Sequence, residues 1–330
     1  MAENIKKVNP PENKYSILLK KYSGYLVFLL LIVFFSFSSP AFLKNDNIIN
    51  ILRQSSILGI VSCGMTCILI GGGSHVIKGG IDISLANNLA LNSAIAAKLL
   101  STGVSIYYVL TIVLLFSLLV GLINSFMIVK LRVIPLLGTL SMMYLLQGCE
   151  LLITNNKVVS SKNAQLVYLA NTNFLGLPLF VWIFLIVSAV LYIIFNRSVF
   201  GNWVNAVGGN DQAAKIAGIN VSLVTAATYI IASITAGIAS VLITARLTGS
   251  VPGIGDTMLF DILLASYLSA VFSHISKPNI PGTIVSSLFV GILTNGFTLI
   301  NVSTYWVYAI KGVLILLAVS FTTRQQRRVG

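Results

Sequence analysis

Ile106 to Val129 reads IYYVLTIVLLFSLLVGLINSFMIV, 24 residues without a charged side chain, closed by Lys130-Leu131-Arg132. A helix rises about 1.5 Å per residue, and about 20 apolar residues cross about 30 Å of hydrocarbon. The stretch therefore predicts a membrane-spanning helix. Lipid offers no partner for a bare N–H or C=O, so a run this long and without alternation must satisfy its backbone inside a helix.

The rest of the chain has the same character. Of 330 residues, 56% are hydrophobic and 9% charged, and the mean hydropathy is +0.94, which excludes a water-soluble domain of ordinary composition. Ten segments are predicted to span: 24–43, 55–72, 83–100, 106–129, 134–154, 176–195, 222–246, 255–273, 281–299 and 304–321. Gly71-Gly72-Gly73 and Gly79-Gly80 flank a short piece after the second segment, while Pro252, Pro278 and Pro281 bracket the eighth, so half-helices or re-entrant turns are expected there. The fold class is thus all-α, a polytopic membrane protein of about ten transmembrane helices, some of them broken or re-entrant.

The excess of 21 Lys and Arg over 8 Asp and Glu lies between apolar spans and reports topology rather than nucleic-acid binding. With a cytoplasmic N-terminus, fourteen basic residues fall inside and six outside, with Lys311 left within the last segment. That places both termini in the cytoplasm: residues 1–23 form an N-terminal segment, 24–321 the transmembrane domain and 322–330 a basic tail. The first apolar run ends in Ser-Ser-Pro-Ala-Phe, without the small-x-small pattern of a cleavage site, and is read as a retained span. Cys63, Cys67 and Cys149 lie inside apolar segments as small core residues, with no His or carboxylate to complete a metal site.

Few groups offer chemistry. Gly-Lys occurs nowhere, so a phosphate-cradling G-x-x-x-x-G-K-[ST] loop is absent and the chain is not expected to hydrolyse nucleotide. Neither H-E-x-x-H nor a Ser or Cys with a base in the same span is present, and no catalytic residue is assigned. Among the carboxylates, Asp82 opens the third segment as a helix cap, Asp256 is expected in a solvated outer loop, and Glu150 near the outer interface is expected to stay hydrated. Asp261 is deeper, and Lys311 could neutralise it if the eighth and tenth segments pack together. Ser84, Asn88 and Asn92 share a helix face in the third segment, which suits either interhelical hydrogen bonds or a hydrophilic wall for a hydroxylated solute. Asn295 and Thr298, with Tyr305 and Trp306, are further polar or aromatic candidates. The pathway-lining set is therefore Ser84, Asn88, Asn92, Asp261 and Asn295. Ala232, Ala236 and Ser240, with Ser233 and Gly237 beside them, predict close packing of the seventh segment.

Between the sixth and seventh segments lies the longest inside loop, about 196–221, polar and rich in Gly and Asn, with a helix-compatible stretch from Asp211 to Ala217. Its core, Gly208-Gly209-Asn210-Asp211-Gln212-Ala213-Ala214-Lys215-Ile216-Ala217-Gly218-Ile219, resembles the G-G-N-x-x-A-A-x-x-x-G-I stretch of the ribose, xylose and galactose-type permeases of ABC importers. Gly79-Gly80-Ile81-Asp82-Ile83-Ser84 is similar to that family's G-G-I-D-L-S. Val133-Ile134-Pro135 with Thr139-Leu140, and Asn295-Gly296 followed by Val302 to Trp306 and Ile310-Lys311-Gly312, extend the resemblance over about 50–320.

The resemblance implies half of a dimeric pore in the bacterial inner membrane, surrounded by lipid. It implies a separate ABC ATP-binding subunit that uses the ATP, an extracytoplasmic solute-binding protein and a second permease copy, with no cofactor or nucleic acid on this chain. Asn210, Asp211, Gln212, Ala213, Ala214, Lys215, Ala217 and Gly218 would couple to the ATPase, with the small face of Ala213, Ala214 and Ala217 seated in a partner's groove. A stand-alone ion-coupled carrier using Asp261 is the other reading. Two stretches depart from the family pattern, Gly73 to Lys78 and Ser266 to Lys277; both carry Ser-His-[Val/Ile]-x-Lys, and His75 and His274 are expected on the cytosolic surface facing the ATPase or the second copy.

Overall fold

A computed structural model describes residues 14–72, 80–273 and 277–326. His75 and His274, with Gly73 to Gly79, lie outside the described residues. The chain forms helices α1 (Lys14–Ser38), α2 (Asn45–Gly72), α3 (Leu85–Ser101), α4 (Ile106–Ser125), α5 (Pro135–Thr154), α6 (Ala164–Asn171), α7 (Leu179–Asn196), α8 (Val199–Gly209), α9 (Asp211–Ile216), α10 (Val221–Leu247), α11 (Ile254–Leu268), α12 (Ile280–Leu299) and α13 (Thr304–Gln326). Two antiparallel two-residue ribbons join loops: β1 (Val159–Ser160) with β4 (Gly249–Ser250), and β2 (Asn173–Phe174) with β3 (Leu177–Pro178). The protein is all-α, as its apolar periodless runs require.

Six described helices are long and apolar enough to cross a membrane: α2, α4 with the π-helical turn Phe126–Lys130 that continues it, α5, α7, α10 and α12. Each of the ten apolar segments falls on a helix, but the bounds differ. The helix α2 begins at Asn45, ten residues before its apolar run, because Asp46 sits in the first turn and the polar residues up to Gln54 disfavour lipid without disfavouring helix. The helix α11 stops at Leu268 after 15 residues and α3 starts only at Leu85, so both are short for a span. The irregular approach to α3 is tolerated because Gly80, Asp82 and Ser84 are buried in protein, where side chains satisfy the backbone.

Local signals set the ends. Pro135 opens α5 at its first turn, and the left-handed Asn155 closes it. Asn279 caps α12 by accepting from the Gly282 N–H at 2.7 Å, with Pro281 inside the first turn. Gly253, at φ 77°, makes the left-handed turn that starts α11.

The two central helices are α2, with 89% of its apolar window buried, and α10, with 67%; α4 buries only 28% and turns the rest outward. Close approach of α2 to α10 rests on small residues: a Cβ on Gly64 would collide with Thr235 Oγ1 and lie 3.0 Å from Ala232 Cα. Ala232, Ala236 and Ser240 are buried as the spacing predicted, and Gly237 packs on Ser117 of α4. In lipid, where apolar surface gains nothing by leaving hydrocarbon, such small-residue contacts and polar pairs hold helices together.

Candidate translocation cleft, polar seam and loop helices

The stretch before α3 places Asp82 at the heart of a buried polar seam. Asp82 Oδ1 accepts from Ser84 N at 2.9 Å and Ser84 Oγ at 2.6 Å, and Oδ2 accepts from Asn124 Nδ2 of α4 at 3.1 Å. Asn124 Nδ2 also lies 2.8 Å from Ser84 Oγ. One turn on, Asn88 donates to the Ser233 carbonyl of α10 at 3.4 Å. After another turn, Asn92 Nδ2 reaches Asn88 Oδ1 at 2.7 Å and Ser117 Oγ of α4 at 3.0 Å. Asp82, Ser84, Asn88 and Asn92 are all fully buried. Ser84, Asn88 and Asn92, predicted as pathway-lining, are here buried and bonded between α3, α4 and α10. Four-residue spacing puts polar groups on one face and is silent on whether a solute or a helix meets them.

The open polar site lies elsewhere. A cleft of about 280 Å³ runs between α2 (Gln54, Ile57, Leu58), α10 (Ile243, Arg246), α11 (Ile254, Thr257, Met258, Asp261), α12 (Thr294, Thr298) and α13 (Thr304, Val307, Tyr308, Lys311), with Val302 at its edge. Across it, Lys311 Nζ lies 2.7 Å from Asp261 Oδ1, the pairing the charges predicted. Two opposite charges this deep need each other, since either alone would be stranded in low dielectric. At the rim, Arg246 reaches Asn50 Oδ1 at 3.3 Å and Gln54 Oε1 at 3.5 Å. Asn295 stands off the cleft, buried and donating to Asn47 Oδ1 at 2.9 Å, so it joins α12 to α2. Tyr305 and Trp306 are largely exposed on other faces of α13.

Glu150 corrects an expectation. It is 1% exposed rather than hydrated, because the Gly253 turn folds over it and donates its N–H to Oε1 at 3.2 Å. Asp256 is exposed as expected and accepts from Gln147 Nε2 at 2.7 Å.

The loop between α7 and α10 carries two helices where one was expected. Ser198 caps α8, whose Val204 and Val207 are buried while Trp203 stays partly exposed. Asn210 caps α9 by accepting from the Gln212 and Ala213 N–H groups at 3.1 and 3.0 Å. Gly218, at φ 84°, ends it, and Ile219 N returns to Ala214 O at 3.0 Å. Asn210, Gln212, Ala213, Lys215, Ala217 and Gly218 are exposed and Asp211 is half-buried. Ala214 faces the body of the protein at 4% exposure, so the expected small face of Ala213, Ala214 and Ala217 is not presented as one surface. The apolar group held out instead is Ile216, 89% exposed.

A family model described as the permease component of the branched-chain amino acid transport system matches residues 47–319. The chain belongs to this family. The ribose import permease protein RbsC of Haemophilus influenzae is 32% identical over 90% of this chain and 91% of its own length. RbsC of Bacillus subtilis is 30% identical over 91% and 92%, and the L-arabinose ABC transporter permease protein AraH of Azospirillum brasilense is 28% identical over 94% and 90%. No solved structure matches the chain. The matched span of this permease runs from within α2 to within α13 and so contains the seam, the cleft and α8 with α9. Membership of a family of permease components does not favour a carrier working alone.

Of the permease's cleft residues, sequence reasoning named Asp261, Lys311 and Thr298 but missed Gln54, Arg246, Thr257, Thr294 and Tyr308. A signal was there: Thr294 and Thr298, and Thr304, Tyr308 and Lys311, repeat at helical spacing beside Asp261's own turn, Thr257. The chain alone does not say that these three stripes converge.

Proposed function

We propose that this chain is the membrane subunit of a binding-protein-dependent ABC importer in the bacterial inner membrane, passing a monosaccharide or sugar-like solute while a separate subunit hydrolyses ATP. The observation that carries the reading is the family match across 47–319, with relatives named as ribose and arabinose permeases aligned nearly end to end. A second permease copy, identical or paralogous, completes the pore. Ten spans with both termini cytoplasmic fit the ten segments and the fourteen-to-six asymmetry of Lys and Arg; the short α3 and α11 are covered by neighbouring helices.

In that topology α8 and α9 project into the cytosol, and Asn210 to Gly218 couple to the ATPase. Support comes from the exposure of most of this segment and from Val204 and Val207, which root α8 in the body so that a push on α9 reaches α2 and α10. The rocking of two permease copies by the ATPase would then open the path inward.

The test is ATP-driven uptake of labelled D-ribose and L-arabinose into vesicles that hold the permease with its ATP-binding and solute-binding partners. Uptake is expected to need ATP and to vanish when residues 211–217 are deleted, with the ATPase no longer copurifying. Accumulation in vesicles holding this chain alone and an ion gradient, or uptake that survives the deletion, would overturn the reading.

A further inference from the structure

In the seam, both oxygens of Asp82 are engaged by its neighbours; in the cleft, polar atoms are left partly unspent. Thr294 Oγ1 is buried with no partner among the described residues. Asp261 pairs with Lys311 and takes no hydrogen bond from any other described residue, so a carboxylate able to accept about four hydrogen bonds keeps most of its capacity. Thr298 Oγ1 donates to Thr294 O at 2.9 Å, which leaves its lone pairs as acceptors. The same cleft is lined by Ile57, Leu58, Ile243, Met258 and Val307. Its lining thus divides into apolar side chains and hydrogen-bonding groups around a neutralised charge pair.

That division matches a sugar ring, with C–H faces and a rim of hydroxyls that donate and accept. The volume, about 280 Å³, lies just below the range of about 300–1,000 Å³ typical for drug-sized ligands. An ionised solute would have to pull Asp261 or Lys311 from its partner and strand the other. We infer that this cleft is a solute subsite of the permease itself, taking a neutral polyhydroxylated solute of monosaccharide size, with Asp261 and Thr294 bonding its hydroxyls and Lys311 kept on the carboxylate. This rests on the sugar-importer reading above and adds where, within the membrane subunit, the solute is read.

The experiment uses the assembled importer in vesicles, with Thr298→Cys as reporter in a Cys149→Ser background; Cys63 and Cys67 are fully buried and stay silent. The rate of labelling by methyl methanethiosulfonate is measured with D-ribose, L-arabinose or D-glucuronate as probe. A neutral sugar is expected to slow labelling at least about 5-fold and glucuronate to leave it unchanged. Asp261→Asn should weaken the protection about 10-fold or more and Thr294→Val about 3- to 10-fold, the loss of one charged and one neutral hydrogen bond. Because the Thr294 hydroxyl has no partner, Thr294→Val should leave the unfolding temperature unchanged, so that variant decides the matter even if Asp261→Asn fails to assemble. ATP-driven sugar uptake without protection, or equal protection by glucuronate, would overturn the subsite and leave the importer reading standing. Failure of the unsubstituted reporter-free chain to copurify with an ATP-binding subunit, together with no ATP-driven uptake of either neutral sugar, would overturn both.

Discussion

Asp82 and Asp261 are both carboxylates taken out of water, yet their surroundings are opposites. Asp82 is ringed by a backbone N–H, a hydroxyl and an amide, with no cation paired to it among the described residues. Asp261 has one ammonium at its side and open space beside it. Asp82 spends both its oxygens on fixing the start of α3 against α4; Asp261 holds acceptor capacity in reserve. Both places join an Asp to small uncharged hydrogen-bonding side chains, Ser and Asn in the seam and Thr in the cleft, so the presence of a buried carboxylate among them does not separate architecture from function. What separates them is whether the hydrogen-bonding capacity is already used.

The comparison predicts different failures. Lys311→Met should be the most damaging change, because it leaves a buried carboxylate without its cation, a loss of about 3–5 kcal/mol. Thermal unfolding in a Cys149→Ser background, followed through dye capture of the buried Cys63 and Cys67, would show it. Adding Asp261→Leu should restore most of the stability, since an apolar pair of similar size removes the stranded charge, while sugar uptake should stay lost. Recovery of uptake in the double variant would erase the distinction between the two sites.

Asp82→Ala comes next, at about 2–4 kcal/mol, as Ser84 N–H and the Asn124 amide lose their acceptor in a site water does not reach. Here stability and uptake should fall together, and no second substitution in the cleft should compensate. A variant that unfolds at the native temperature but fails to transport would move the seam into the functional class.

The sequence made the helices legible because lipid permits little else for apolar runs of this length; all ten segments fall on helices. It made the Asp261–Lys311 pair legible because an unpartnered charge at that depth is so costly that a counter-charge is implied. What it left dark depends on convergence. Glu150 is buried by Gly253, 103 positions along the chain, and nothing near Glu150 announces that cover. Ser84, Asn88 and Asn92 read as a wall or a clasp until Ser117, Asn124 and Ser233 are placed against them. The helix α8 was hidden because its Gly and Asn residues read as loop, although Val204 and Val207 have the spacing of a buried stripe. In α9 the alanines drew the eye as a docking surface, whereas the chain turns Ala214 inward and Ile216 out.

Ile216 provides the smallest stability effect and the finest test of that last reversal. At 89% exposure its side chain gives the isolated fold almost nothing, so Ile216→Ser should shift unfolding by less than about 0.5 kcal/mol. Burying an isoleucine in a partner's groove is worth about 1.5–3 kcal/mol, so the same change should weaken retention of the ATPase about tenfold or more and lower ATP-driven uptake with it. Ala214→Leu should behave the opposite way: a larger side chain forced into a packed contact costs about 1–3 kcal/mol in stability, and any loss of the ATPase follows from that loss of fold. If Ile216→Ser binds the ATPase as tightly as the unsubstituted chain, the exposed isoleucine is an ordinary surface residue, and the coupling contact must be made by the polar residues of α9. A helix of six residues has too little surface to hold a partner through both faces, and its inner face is already committed to the body through Ala214.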